Sequence, residues 1–127
     1  MKKRYLPFLS LMLLLTGCGA GPSAPAFHQI SAEEAKEKMN SGDPVTIVDV
    51  REQDEYDDGH VPGAILYPLG TITKRTAKDL LPDQDATLLI YCRSGNRSVH
   101  AAEKLAELGY TDIYEFGGIL DWPYELE

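Results

Sequence analysis

Apolar positions along the chain fall into short runs separated by amphipathic stretches. Residues 45–50 (VTIVDV) and 87–91 (TLLIY) are β-branched or apolar almost throughout, the pattern of a strand buried on both faces. Shorter runs at 28–30, 64–67 and 113–116 predict further strands. Over residues 97–108 the apolar positions Val99, Ala102, Leu105, Ala106 and Leu108 recur at helical spacing, and Gly109 marks the stop. Ser31 and Glu34 form a capping box that opens a helix running to about Ser41, closed by Gly42. One or two helical turns are expected over 52–58, ending at Gly59, and a weaker helix over 73–81, stopped by Pro82. Alternating strands and helices predict an α/β fold, a parallel sheet with helices on both faces.

The first 17 residues do not fit this alternation. Lys2, Lys3 and Arg4 precede an apolar run over 6–15. That run is shorter than the ~20 residues a membrane-spanning helix needs and suits the core of a secretory signal. The segment Leu15-Thr16-Gly17-Cys18 resembles the bacterial lipoprotein signal. The resemblance implies cleavage before Cys18, a diacylglycerol thioether on its sulfur and acylation of its amine by a fatty acid such as palmitate. Two or three acyl chains give a firm anchor where one is marginal. Residues 1–17 are then the signal peptide, 18–27 the lipidated cysteine and flexible tether, and 28–127 the folded domain. The expected location is outside the cytoplasm, anchored by lipid to the bacterial membrane, the outer one if the cell has one.

Composition narrows the partners. The apolar set is 43% and the charged set 25% of 127 residues, an ordinary balance for one globular domain. The net charge is −8. Cleavage would remove three of 12 positive charges and no negative ones, leaving nine against 20, or −11. A surface of this sign argues against nucleic acid, and it requires the lipid to hold the protein at an anionic membrane. Three scattered histidines and one cysteine beyond Cys18 predict no metal site.

The candidate chemistry follows the strand at 87–91. Cys92 comes directly after it, then Arg93, Ser94, Gly95, Asn96, Arg97 and Ser98, then the helix. In open α/β sheets ligands bind beyond the carboxyl ends of the strands. A loop opening a helix points free N–H groups at its contents, and the helix dipole favours negative charge. Such a setting favours the thiolate, which is the nucleophile. An isolated cysteine at a strand end reads more simply as a buried structural residue. The polar flank with two arginines favours an anion site.

This loop resembles the active-site loop of the rhodanese family of sulfurtransferases, and the resemblance extends to other segments. Asp49-Val50-Arg51-Glu52, then Glu55-Tyr56 and Gly59-His60-Val61-Pro62-Gly63-Ala64, look like the family's first signature. Gly117-Gly118-Ile119-Leu120-Asp121-Trp122 look like its closing segment. The resemblance implies that Cys92 attacks the sulfane sulfur of a donor such as thiosulfate, sulfite leaves, and a persulfide forms. A thiophilic acceptor, cyanide or a thiol, then takes the sulfur by covalent, ping-pong chemistry without a cofactor. Loop N–H groups from Arg93 to Ser98 would stabilise the persulfide anion. Arg93 and Arg97 are candidates for the donor's sulfonate, with Arg97 alternatively a brace on a nearby carboxylate. Asp49 and Arg51 are expected to brace the sheet end, and His60 to serve a structural turn. Cysteine phosphatases have a related loop with five residues between cysteine and arginine, whereas four separate Cys92 from Arg97 here. The competing readings are a non-enzymatic persulfide carrier or protein-interaction module, with a protein sulfur acceptor as partner. A thiol redox protein is disfavoured by the lack of a CxxC pair.

Overall fold

The computed structural model describes residues 26–127. The expected signal peptide, Cys18 and most of the tether lie outside the described residues. Five strands form one parallel sheet: β1 (His28–Gln29), β2 (Thr46–Asp49), β3 (Ile65–Leu66), β4 (Thr87–Cys92) and β5 (Asp112–Gly118), in the order β1-β5-β4-β2-β3. The crossovers carry α1 (Ala32–Asn40), α2 (Gln53–Asp57), α3 (Lys74–Leu80) and α4 (Asn96–Glu107). Short 3-10 turns lie at Leu69–Thr71 and Ile119–Asp121.

Local signals account for most boundaries. Ser31 caps α1 as the sequence implies: its Oγ accepts from the Glu34 N–H at 3.0 Å, and the Glu34 carboxylate accepts from the Ser31 N–H at 3.3 Å. Such a cap is worth ~1 kcal/mol. The helix at 97–108 begins one residue earlier than predicted, with Gly95 as N-cap at φ 107°, a region that suits glycine. β4 reaches Cys92, which places the thiol within the sheet rather than after it.

Central strands are covered on both faces, so each alternates between two cores. Val48, Leu88, Ile90, Cys92 and Ile113 face one core, with Ala77 of α3 and Ala101, Ala102 and Leu105 of α4. Ile47, Leu89, Tyr91 and Phe116 face the other, with Ala35 of α1, Val61 and Trp122. Consecutive residues Tyr91 and Cys92 therefore enter opposite layers. Trp122 packs edge-on against Tyr124 in the C-terminal segment, with ring centroids 4.9 Å apart.

Pairing of β4 with β5 contains one irregularity. Ile90 lies opposite Glu115, but Cys92 lies opposite Gly118, so β5 carries one extra residue. The bulge is absorbed at Gly117, φ 85°. It brings the end of β5 against the loop after β4. A β-carbon on Gly118 would collide with the Arg93 carbonyl, so only glycine fits there.

Candidate active site

Cys92 sits at the carboxyl end of the central strand β4, 1% exposed. Its Sγ accepts a hydrogen bond from the Gly95 N–H at 3.0 Å. The loop from Arg93 to Gly95 thus curls over the sulfur and hands the chain to α4, whose amino-terminal dipole end lies beside it. Ser98, fully buried on the first turn of α4, places Oγ 3.3 Å from Sγ. The Cys92, Gly95 and Ser98 geometry forms one sulfur pocket. Burial alone would equally suit an inert thiol. The Gly95 N–H aimed at the sulfur gives the pocket its capacity to hold an anion.

Arg97 is engaged by a carboxylate. Its two terminal nitrogens bind both oxygens of Glu55 on α2, at 2.6 and 2.9 Å. Of the two expectations for this arginine, the geometry is that of the brace: a bidentate clip joining α4 to α2 across the end of the sheet. The hydrogen bond to Arg97 holds the Glu55 carboxyl down at about 2. The same bond raises the Arg97 guanidinium above its ordinary value, against a smaller opposing effect of burial. Glu55 therefore leaves the acidic run Glu52, Asp54, Asp57 and Asp58, whose other members stay exposed. In sequence the run Glu52, Asp54, Glu55, Asp57 and Asp58 reads most simply as a solvated helix face, and the structure corrects that reading at Glu55 alone. Arg93 is exposed on the loop rim.

Asp49 and Arg51 form a buried ion pair at the carboxyl end of β2. Asp49 accepts from Arg51 Nε and Nη2, from the Arg51 N–H and, at 2.6 Å, from the Tyr91 hydroxyl. Arg51 Nη2 also donates to the Gly59 carbonyl at 2.8 Å, and Tyr91 accepts from the Val61 N–H at 3.0 Å. Burial pulls the Arg51 guanidinium down, but the hydrogen bond and charge of Asp49 outweigh it and the net shift is upward. Burial first, then the bond to Asp49, keeps the Tyr91 phenol neutral well beyond its ordinary range. His60 stacks on Tyr56 with centroids 3.8 Å apart, consistent with its expected role in the turn.

One residue of the pocket was missed by sequence reasoning. Glu115 on β5, 3% exposed, accepts the Ser98 hydroxyl at 2.6 Å and the Gly117 N–H at 2.8 Å. Its signal was visible: it follows Ile113 at the two-residue spacing of an inward-facing strand position, where a carboxylate is costly unless paired.

Comparison with known proteins gives the family. A sequence model of the rhodanese-like domain matches residues 31–124. The chain belongs to the rhodanese-like family. YrkF of Bacillus subtilis, provisionally named a sulfur carrier protein, is 35% identical over 106 residues, 83% of this chain and 56% of that protein. The thiosulfate sulfurtransferase PspE of Escherichia coli is 40% identical over 74 residues, 58% of this chain and 70% of that protein. This chain thus spans little more than half of the former. The solution structure of the rhodanese-like domain of the Anabaena protein Alr3790 matches with a TM-score of 0.70 at 27% identity, covering 83% of this chain and 80% of that one.

Proposed function

We propose that the protein is a sulfurtransferase that moves sulfane sulfur from thiosulfate or a similar donor to a thiophilic acceptor through a Cys92 persulfide. The observation that carries this reading is the Gly95 N–H held 3.0 Å from Cys92 Sγ at the amino end of α4. The Cys92 thiolate attacks the donor's outer sulfur, and sulfite leaves with the electron pair of the broken S–S bond. Negative charge then lies on the outer persulfide sulfur, in a pocket with a preorganised N–H donor. With Arg97 occupied by Glu55, Arg93 is assigned to the donor's sulfonate. The cycle as proposed calls for no metal or organic cofactor, since the Cys92 thiolate itself supplies the nucleophile. The same persulfide suits a carrier or partner-presenting role, a reading favoured by the similarity to YrkF.

Intact mass before and after thiosulfate, with cyanide added last, tests the cycle. A gain of about 32 Da on Cys92 that cyanide removes supports it. No gain removes sulfur transfer from thiosulfate. Sustained turnover with cyanide distinguishes an enzyme from a carrier. We further propose that Cys18 is lipidated and that the domain works outside the cytoplasm, tethered to the membrane. The support is the Leu15-Thr16-Gly17-Cys18 segment behind a basic and apolar leader. Labelling with a palmitate analogue that disappears in Cys18→Ala is the expected result.

A further inference from the structure

We propose that Glu115 is a positioning residue that, through Ser98, makes negative charge on Cys92 Sγ costly and so biases the site toward keeping its sulfur as a persulfide. The inference rests on the sulfur-transfer reading above.

Nothing in the packing calls for a carboxylate at this position. Glu115 follows Ile113 on the inward face of β5 and lies opposite Ile90 of β4. An apolar residue would continue that core. Instead three donors converge on the side chain: the Ser98 hydroxyl at 2.6 Å, the Gly117 N–H at 2.8 Å and the Gln29 amide at 3.4 Å. A group that only accepts is what this set fits, which is an ionised carboxylate.

Ser98 transmits the charge. Its Oγ has one proton and four acceptors in reach: Glu115 Oε1 at 2.6 Å, the Gly95 carbonyl at 3.0 Å, Cys92 Sγ at 3.3 Å and the Gly117 carbonyl at 3.4 Å. The shortest contact is to Glu115, and a charged acceptor makes the stronger bond. The proton is therefore committed there, and the oxygen lone pairs face the sulfur. In that state Ser98 accepts from a thiol S–H and does not donate to a thiolate. The other groups around the pocket are Arg93, exposed on the loop rim, Arg97 of α4, with its charge shared by Glu55 of α2, and the neutral Gln29 of β1. The Gly95 N–H remains the donor to Sγ.

The two half-reactions move charge in opposite directions past this carboxylate. Loading transfers negative charge from Sγ to the outer sulfur, one S–S bond of ~2.05 Å beyond it. In unloading, an acceptor thiolate attacks the outer sulfur. The Sγ–S bond breaks, and its electron pair returns to Sγ beside Glu115. The carboxylate therefore favours the loaded state and slows release.

Glu115→Gln keeps the size and an acceptor for Ser98 but removes the charge, whereas Glu115→Asp keeps the charge. Cys92 ionisation is read by thiolate ultraviolet absorbance against pH, as the difference from Cys92→Ala, with no sulfur donor present. In Glu115→Gln the midpoint is expected to fall by roughly one pH unit, while Glu115→Asp stays near the native value. With a thiol acceptor, Glu115→Gln is expected to discharge its persulfide several-fold faster. An unmoved or raised midpoint in a folded Glu115→Gln protein overturns the proposal, as does an equal displacement in Glu115→Asp. If Glu115→Gln does not fold, the ¹³C resonance of the native Glu115 carboxyl is followed instead. A second inflection where Cys92 ionises, absent in Cys92→Ala, supports the coupling, and its absence overturns it. A chain that takes no sulfur from thiosulfate but shows the Glu115→Gln displacement loses the sulfur-transfer reading and retains the charge coupling.

Discussion

Tyr91 and Cys92 are neighbours on one strand, yet they end in opposite kinds of environment. Tyr91 enters the layer under α1 and α2, where its hydroxyl donates to Asp49 and accepts from the Val61 N–H. Asp49 in turn is filled by Arg51, and Arg51 by Asp49 and Gly59. Every strong polar group there has found its partner within the fold. Cys92 enters the layer under α3 and α4, where one N–H faces its sulfur and the nearest hydroxyl is already committed to Glu115. Both networks contain a buried carboxylate, and both lie at the carboxyl end of the sheet. The first is saturated and ties β2 to β4 and to the turn at Gly59. The second opens on the first-turn N–H groups of α4, which have no partner within the helix and can meet a group that arrives from outside. Saturation marks the structural network, and unspent capacity around a nucleophile marks the reactive one.

That contrast breaks most clearly at the sulfur itself. Cys92→Ser should abolish the mass gain with thiosulfate completely while shifting stability by less than about 1 kcal/mol, as read by intact mass and urea unfolding. The complementary substitution is Asp49→Asn. It leaves Arg51 buried without its counter-charge, and a cost of about 3–5 kcal/mol is expected. Persulfide formation by the protein that remains folded should persist. If Asp49→Asn were silent in unfolding but lost sulfur loading, the division between the two networks would be wrong. Gly118→Ala tests the boundary between them. The new methyl group must push the Arg93 carbonyl away, and the loop carries Gly95 with it. A displacement of about 1 Å at a reacting centre costs on the order of 10²-fold in rate, so turnover with cyanide should fall by about that factor. Overpacking should cost about 1–3 kcal/mol as well.

The saturated network and the reactive one were unequally legible in the sequence. The strands at 45–50 and 87–91 announced themselves because a sheet covered on both faces demands nearly continuous apolar residues. Ser31 and Glu34 announced α1 because capping is local chemistry. The loop from Cys92 to Ser98 was legible as a unit because its glycine, hydroxyl and arginines sit in one contiguous stretch. What pairs across the fold was not. Glu55 belongs to an acidic run that reads as a solvated face, and only the approach of α4 to α2 selects it for Arg97. Glu115 shows its inward spacing in the sequence, but its partner Ser98 stands 17 residues away on another element, and no local pattern declares that pairing. The division of labour between Arg93 and Arg97 depends on these long-range pairings, so the residues alone left both roles open.

The Arg97–Glu55 clip is where the two layers meet, and its removal gives the smallest expected effect. Glu55 is held at about 2 in the fold, chiefly by the hydrogen bond to Arg97, against 4.5 for an unperturbed glutamate. A folded value below the unfolded one means that the unfolded chain binds the proton first as pH falls. The stabilisation is therefore fully present above about pH 4.5 and is lost progressively between there and about pH 2. The pair is a quarter to a third exposed, so screening reduces its worth to about 1 kcal/mol. Glu55→Gln should lower the unfolding free energy at pH 6 by that amount, as read from urea unfolding. The gap to the native protein should narrow steadily as the pH drops toward 2. It should also free Arg97 beside the loop entrance. If Arg97 then shares the sulfonate with Arg93, the KM for thiosulfate falls while kcat stays close to native. A gap in stability that stays constant down to pH 2 would mean that Glu55 acts through packing rather than charge. The clip would then no longer count as the ionic link between the saturated layer and the reactive one.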